Sequence, residues 1–163
     1  MSSVVERRLL VNYRVDPDAA ASSVPPPMRP QLVGGWAVAG ICLVRLGQFR
    51  PSWLPGWAGL RTENAAHRIA VEWDGPQGRS TGVYIARRDS GSAINVVAGG
   101  RLFPGEHSLA RFDVRETAQD LHVAFTSQDE TVSVSMDVRP VDIHSVRSTV
   151  FDDQNRFPPG TAG

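Results

Sequence analysis

His67-Arg68-Ile69-Ala70-Val71-Glu72-Trp73 places Ile69, Val71 and Trp73 on one side of an extended chain, with Arg68 and Glu72 on the other. Asp74-Gly75-Pro76-Gln77-Gly78 follows at once as a strong turn, and Gly82-Val83-Tyr84-Ile85-Ala86 returns. A period of two on either side of a glycine-containing turn predicts a β-hairpin. Working outward, further strands are expected at Ile94–Ala98, Ser108–Arg115, Asp120–Thr126 and Thr131–Arg139. In the last, Val132, Val134, Met136 and Val138 share one face, while Ser133, Ser135 and Asp137 share the other. Upstream, Gly34-Gly35 precedes Trp36–Leu46, whose near-continuous apolarity suits burial on both faces. Arg8–Val15 reads as a strand ending at Asp16-Pro17. Asp16 suits an N-cap and Pro17 the first position of a short helix, which Pro25-Pro26-Pro27 stops. Residues 47–62, with Trp53 and Trp57, read as a long loop. Eight or so strands with one short helix predict a mainly-β domain over residues 1–143, its antiparallel sheet curled or closed into a barrel. Residues 144–163 read as a C-terminal tail with a modest helix at Ser145–Phe157.

The chain has 163 residues, 41% hydrophobic and 21% charged, with a formal net charge of zero. That is enough for one hydrophobic core, and it gives no bulk electrostatic reason to expect nucleic acid or a membrane as partner. All seventeen basic side chains are arginine; lysine is absent. The arginines are dispersed, and a solvated surface accounts for most of them. Cys42 is the only cysteine, so no intrachain disulfide is available, and its apolar neighbours predict a buried, inert thiol. The longest apolar run is too short to span a bilayer, and the first ten residues lack a signal peptide's apolar core. A cytoplasmic location is the expectation.

Gly99-Gly100-Arg101-Leu102-Phe103-Pro104-Gly105-Glu106-His107 resembles the segment of acetoacetate decarboxylases that carries Phe-Pro followed by two lysines. The strand and Asp-Pro helix at 8–22, the glycine-led strand at Gly35-Trp36, Glu63 before the His67 strand, and Gly82-Val83-Tyr84 recur in that family's order. The resemblance covers most of residues 7–140 and is closest to a branch that lacks the catalytic lysine. It implies the decarboxylase-type β-barrel with an internal pocket. Relatives in this branch usually continue further, which implies a shortened variant whose missing strands are dispensed with or supplied by a partner chain. The two lysine positions read Gly105 and Glu106 here. Arginine cannot replace them, because a guanidinium keeps its proton and is no amine nucleophile.

Five residues are candidates for the site. The resemblance puts Arg101 beside the reactive centre, where it would grip a carboxylate or enolate through paired hydrogen bonds; a surface ion pair is the alternative. It also matches Glu63 to an active-site glutamate, which as an enclosed carboxyl would exchange protons near neutrality; a loop residue capping a turn is the other reading. Glu106 and His107 occupy the ground the lysines vacate and suit acid–base work, yet neighbours on a strand face opposite ways, so one cavity takes only one of them. A solvated pair at a turn remains open. Tyr84 reads as a cavity-lining donor or as a core tyrosine. His67, His122 and His144 lack zinc spacings, so no metal and no cofactor is expected.

The expected function is binding of a small carbonyl or carboxylate compound in the barrel, with Glu63 and Glu106 catalytic and Arg101, Tyr84 and His107 binding. Lysine-independent acid–base chemistry of lyase, dehydratase or cyclase type would follow. The alternative is a non-catalytic ligand-binding or scaffold protein that keeps the barrel, or a homo-oligomeric assembly subunit whose exposed sheet edge is covered by another copy.

Overall fold

The computed structural model describes residues 2–50, 53, 55, 59–93, 96, 97 and 105–141. These form β1 (Ser2–Val15), α1 (Pro17–Ser22), β2 (Arg29–Pro30), β3 (Leu32–Val33), β4 (Trp36–Arg50), β5 (Leu60–Gly75), β6 (Gly78–Ser90), β7 (Glu106–Glu116), β8 (Leu121–Ser127) and β9 (Ser133–Val138). The main sheet runs β1-β4-β5-β6-β7-β8-β9, with β2 added to β5 and β3 to β4. Every pairing is antiparallel except β6 with β7. The sheet curls into a half-barrel, so that β1, β4 and β5 face β7, β8 and β9.

The α1 start is built as its sequence dictates. Asp16 accepts hydrogen bonds from the amides of Asp18 at 3.0 Å and Ala19 at 3.1 Å, and Pro17 occupies the first turn, where no amide proton is needed. Gly34 and Gly35 form the two-residue turn from β3 to β4, with φ of +57° and +83°. Positive φ at both positions is what the tight hairpin turn requires, and glycine adopts it without steric cost.

Two expectations need correction. The long loop over 47–62 is shorter than expected, since β4 extends to Arg50, β5 starts at Leu60, and Phe49 pairs with Leu60. Gln48, at φ +52°, absorbs the register shift there. Of the strand expected at Ile94–Ala98, the described Val96 and Val97 are instead helical, as is Ala93 before them, and the Val96 amide donates to Ser92 at 3.1 Å. A short apolar run is ambiguous by periodicity alone, and a parallel pair such as β6–β7 needs a crossover connection, usually helical. Arg7, Arg45 and Arg87 stand apart from the solvated majority of the arginines, with only 11%, 20% and 12% of their side-chain exposure retained. The helix expected at Ser145–Phe157 lies outside the described residues.

The core joins the two walls of the half-barrel. Ile41, Leu43 and Ala65 from β4 and β5 pack with Ala110, Val123 and Phe125 from β7 and β8. Leu9, Phe112, Val134 and Met136 close around them.

Candidate functional site

Residues directly opposite in a ladder point to the same side of the sheet. The registers therefore lay out the concave face as rows about 7 Å apart along the strands. Arg7, Arg45 and Glu63 form one row; Leu9, Leu43, Ala65, Asp89 and Ser108 form the next. Val11, Ile41, His67, Arg87 and Glu106 form the third, and Tyr13, Ala39, Ile69 and Tyr84 the fourth.

The first row is an ionic clamp. Arg7 donates to Glu63 and to Glu116, both at 2.8 Å, while Arg45 donates to Glu63 and, at 2.8 Å, to Glu116. Glu116 ends β7, so the four charges tie the two walls together. Burial would push the Glu116 carboxyl up, but the guanidinium groups of Arg7 and Arg45 outweigh it and hold the group below its usual range.

A second cluster is built around Asp89 of the second row and draws in His67 and Arg87 of the third. This carboxylate is fully enclosed. It accepts from Arg87 Nε at 3.1 Å on each oxygen and from Nη2 at 2.9 Å, and His67 Nε2 lies 2.7 Å from Oδ2. Arg87 also donates to Asp129 at 3.0 Å and Thr131 at 2.9 Å, and reaches Glu106 at 3.4 Å. Burial works to raise the Asp89 pKa; the hydrogen bonds from His67 and Arg87 prevail and keep it ionised, below its ordinary value. The bonds from Arg87 and Ser127 hold Asp129 far below its own. With Asp89 ionised, the proton between it and His67 sits on Nε2. The imidazole meets the edge of Phe125, centroids 6.2 Å apart at 67°.

The fourth row is only partly covered. Ala39, Ile69 and Tyr84 are half-buried, and Tyr13 is exposed. Beyond His67 the concave face thus carries partly covered apolar side chains as far as the fully buried Ala37 and Val71, whereas on the Ala65 side the core fills it. A separate cleft of about 430 Å³, lined by Gly91, Leu109, Ala110, Arg111 and Gln128, lies where β6 leaves β7. It offers one ionisable side chain, Arg111.

Of the expected site residues, Glu106 and Tyr84 come together on this face in adjacent rows. Glu63 is half-buried with both its oxygens taken by guanidinium groups, and it stands four residues from His67, roughly 14 Å along β5. His107 pairs with Arg88 in the register and faces the other way from Glu106, with its Nε2 buried and without a described partner. Arg101 lies outside the described residues. The sequence reading missed the triad His67, Asp89 and Arg87. A signal existed: period two already puts His67 on the side of Ile69 and Val71, and an aspartate inside a strand is uncommon. Among the described residues, no group of three or more His, Cys, Asp or Glu side chains could hold a metal, and no helix is long and apolar enough to cross a membrane.

Several solved structures share this fold. Acetoacetate decarboxylase from Legionella pneumophila superposes with a TM-score of 0.57 at 17% identity, covering 84% of this chain and 50% of that one. The enduracididine biosynthesis enzyme MppR complexed with pyruvate gives 0.59 at 16% identity, covering 81% and 54%. An acetoacetate decarboxylase-like enzyme from Sphingomonas wittichii RW1 gives 0.58 at 14% identity, covering 86% and 59%. The chain thus spans little more than half the length of these neighbours. No curated protein matches it. The family model DUF2071, described as an uncharacterized conserved protein, matches residues 4–157. A curled mainly-β sheet of acetoacetate decarboxylase type and this match over nearly the whole sequence establish that the chain belongs to the DUF2071 family.

Proposed function

We propose that the protein binds a small carbonyl or carboxylate compound in the trough of its half-barrel and transforms it by acid–base chemistry that needs no amine. The observation that carries this reading is the convergence of Tyr84, His67, Arg87 and Glu106 on adjacent rows of one concave face. Arg101 would anchor the ligand's anionic group, Tyr84 would donate to a carbonyl oxygen, and Glu106 would exchange protons at a neighbouring carbon. Glu63 would contribute only by steadying the wall through its clamp, and His107 from the opposite face. The resemblance to a pyruvate-bound enzyme supports the ligand class. Decarboxylation through a Schiff base is outside the chain's reach, since it has no lysine.

Pyruvate and acetoacetate, tested by thermal shift, are expected to stabilise the wild type. A ligand at about 100 times its Kd adds about 2.7 kcal/mol, roughly 5–10 °C for a chain of this size. Arg101→Ala should lose most of that shift, and equal shifts for both proteins would remove Arg101 from the site. Borohydride added with acetoacetate should leave the protein mass unchanged apart from the N-terminus; an internal adduct would contradict the amine-free reading.

One observation favours assembly as a second reading. β1 is a sheet edge of 14 residues, with Val4, Val5, Leu10 and Tyr13 all more than 40% exposed and no proline to blunt it. Such an edge invites pairing with another strand. Light scattering should then give twice the chain mass, and a strict monomer would remove this reading.

A further inference from the structure

We infer that His67, oriented by Asp89, is the group that removes a proton from a carbon next to the ligand's carbonyl. The inference rests on the proposed ligand class and moves the proton-abstraction step from Glu106 to a residue outside the family resemblance. The geometry is that of an oriented imidazole. Nε2 is fixed by an ionised, fully enclosed carboxylate at 2.7 Å, so in the neutral ring Nδ1 keeps its lone pair.

That lone pair is reachable. Among the described residues, the side-chain atoms buried without a partner are Arg7 Nε and His107 Nε2, and no described residue hydrogen-bonds His67 Nδ1. With 20% of the side chain exposed, Nδ1 therefore meets solvent on the concave face. The half-buried row of Ile69 and Tyr84 adjoins it, which suits the apolar part of a small keto acid.

Arg87 makes the arrangement firm. Its bonds to both oxygens of Asp89 fix the carboxylate, and its bonds to Asp129 and Thr131 fix the guanidinium to the turn after β8. The imidazole is held from a third side by Phe125. Asp89 is thus a positioning residue and His67 the catalytic one. The step balances simply. The C–H bond beside the ketone breaks, the proton passes to Nδ1, and the electron pair forms the enolate double bond, leaving negative charge on the former carbonyl oxygen. Reprotonation from the imidazolium after exchange with solvent returns the keto acid.

Pyruvate in D2O tests this without knowledge of the natural ligand. Proton NMR should show deuterium entering the methyl group faster with the wild type than with buffer. His67→Gln, whose amide can still donate to Asp89, should lower that rate by about 100-fold or more, the range for loss of a general base. Binding of pyruvate by thermal shift should survive in the variant. A second readout needs no variant: the nitrogen resonance of His67 Nδ1 in the wild type should move on adding pyruvate. Retained binding with undiminished exchange in His67→Gln, or an Nδ1 resonance unmoved by bound pyruvate, would overturn the assignment and leave the proposed function standing. Binding without wild-type exchange would do the same. Absence of binding by both pyruvate and acetoacetate would instead sink the underlying reading.

Discussion

Asp89→Asn is expected to destabilise the protein by about 3 kcal/mol, because removing one partner from a buried charge cluster strands the others. For a domain of this length, that is a fall of roughly 6–12 °C in melting temperature. The estimate sits at the low end of the range for broken buried pairs because Arg87 keeps Asp129 at 3.0 Å and Glu106 at 3.4 Å. Glu106→Gln is the matched control: its side chain is 62% exposed, and loss of such an ion pair costs below about 1 kcal/mol. The acid side carries a second signature. Folding holds Asp89 below its ordinary value of 3.8, with burial opposing and the His67 and Arg87 hydrogen bonds prevailing. A depressed folded-state pKa contributes stability that is complete above the unfolded value and is lost as pH falls through the folded one. Denaturant melts should therefore show a constant gap between wild type and Asp89→Asn from pH 8 to about 5, narrowing as the pH drops below about 4. A gap that stays constant down to pH 3 would show that Asp89 is not a titrating anchor of the fold.

The local elements were legible because each has a local cause. Asp16-Pro17 writes its own helix start, Gly34-Gly35 its own turn, and the alternation from Ser133 to Val138 its own strand faces. The concave rows were not, because they depend on registers between strands far apart in sequence. His67 and Asp89 are 22 positions apart, and Arg7 and Glu116 are 109 apart. Alternation shows that His67 faces inward, but it does not show that β6 delivers a carboxylate to meet it. A bulge between His67 and Arg68 in the β5–β6 ladder helps set that meeting, and one residue of slip would turn Asp89 to the opposite face. Arg7 and Arg45 read as surface charges for a related reason: composition counts charges, whereas burial is decided by the curl that brings Glu116 across to them. The resemblance found the fold and named Tyr84 and Glu106 as candidates, which the registers put on adjacent rows. It could not find His67, since the family pattern centres on lysines this chain does not have.

Phe125→Ala should be the most damaging of the apolar replacements, costing about 3–5 kcal/mol. Phe125 is 2% exposed and stacks on Phe112 with centroids 5.0 Å apart. It lies in the core cluster with Leu43 and Ala65 of the facing wall, so its loss opens a cavity at the seam of the half-barrel. Neither wall can close that cavity by itself, because Val123 and Ala110 beside it are already buried and hydrogen-bonded strands fix their backbones. Against a total stability of about 5–15 kcal/mol for a domain, the variant should unfold at much lower denaturant, with an unchanged slope if the transition remains two-state. Phe125→Leu, which refills most of the volume, should recover more than half of the loss. The same ring borders His67, so the alanine variant should also shift the imidazole resonances while Asp89 still holds Nε2. A cost under about 1 kcal/mol for Phe125→Ala, far below the range for a buried phenylalanine, would mean that the β7–β9 wall does not pack on β4 and β5, and the concave face that presents His67, Tyr84 and Glu106 would go with it.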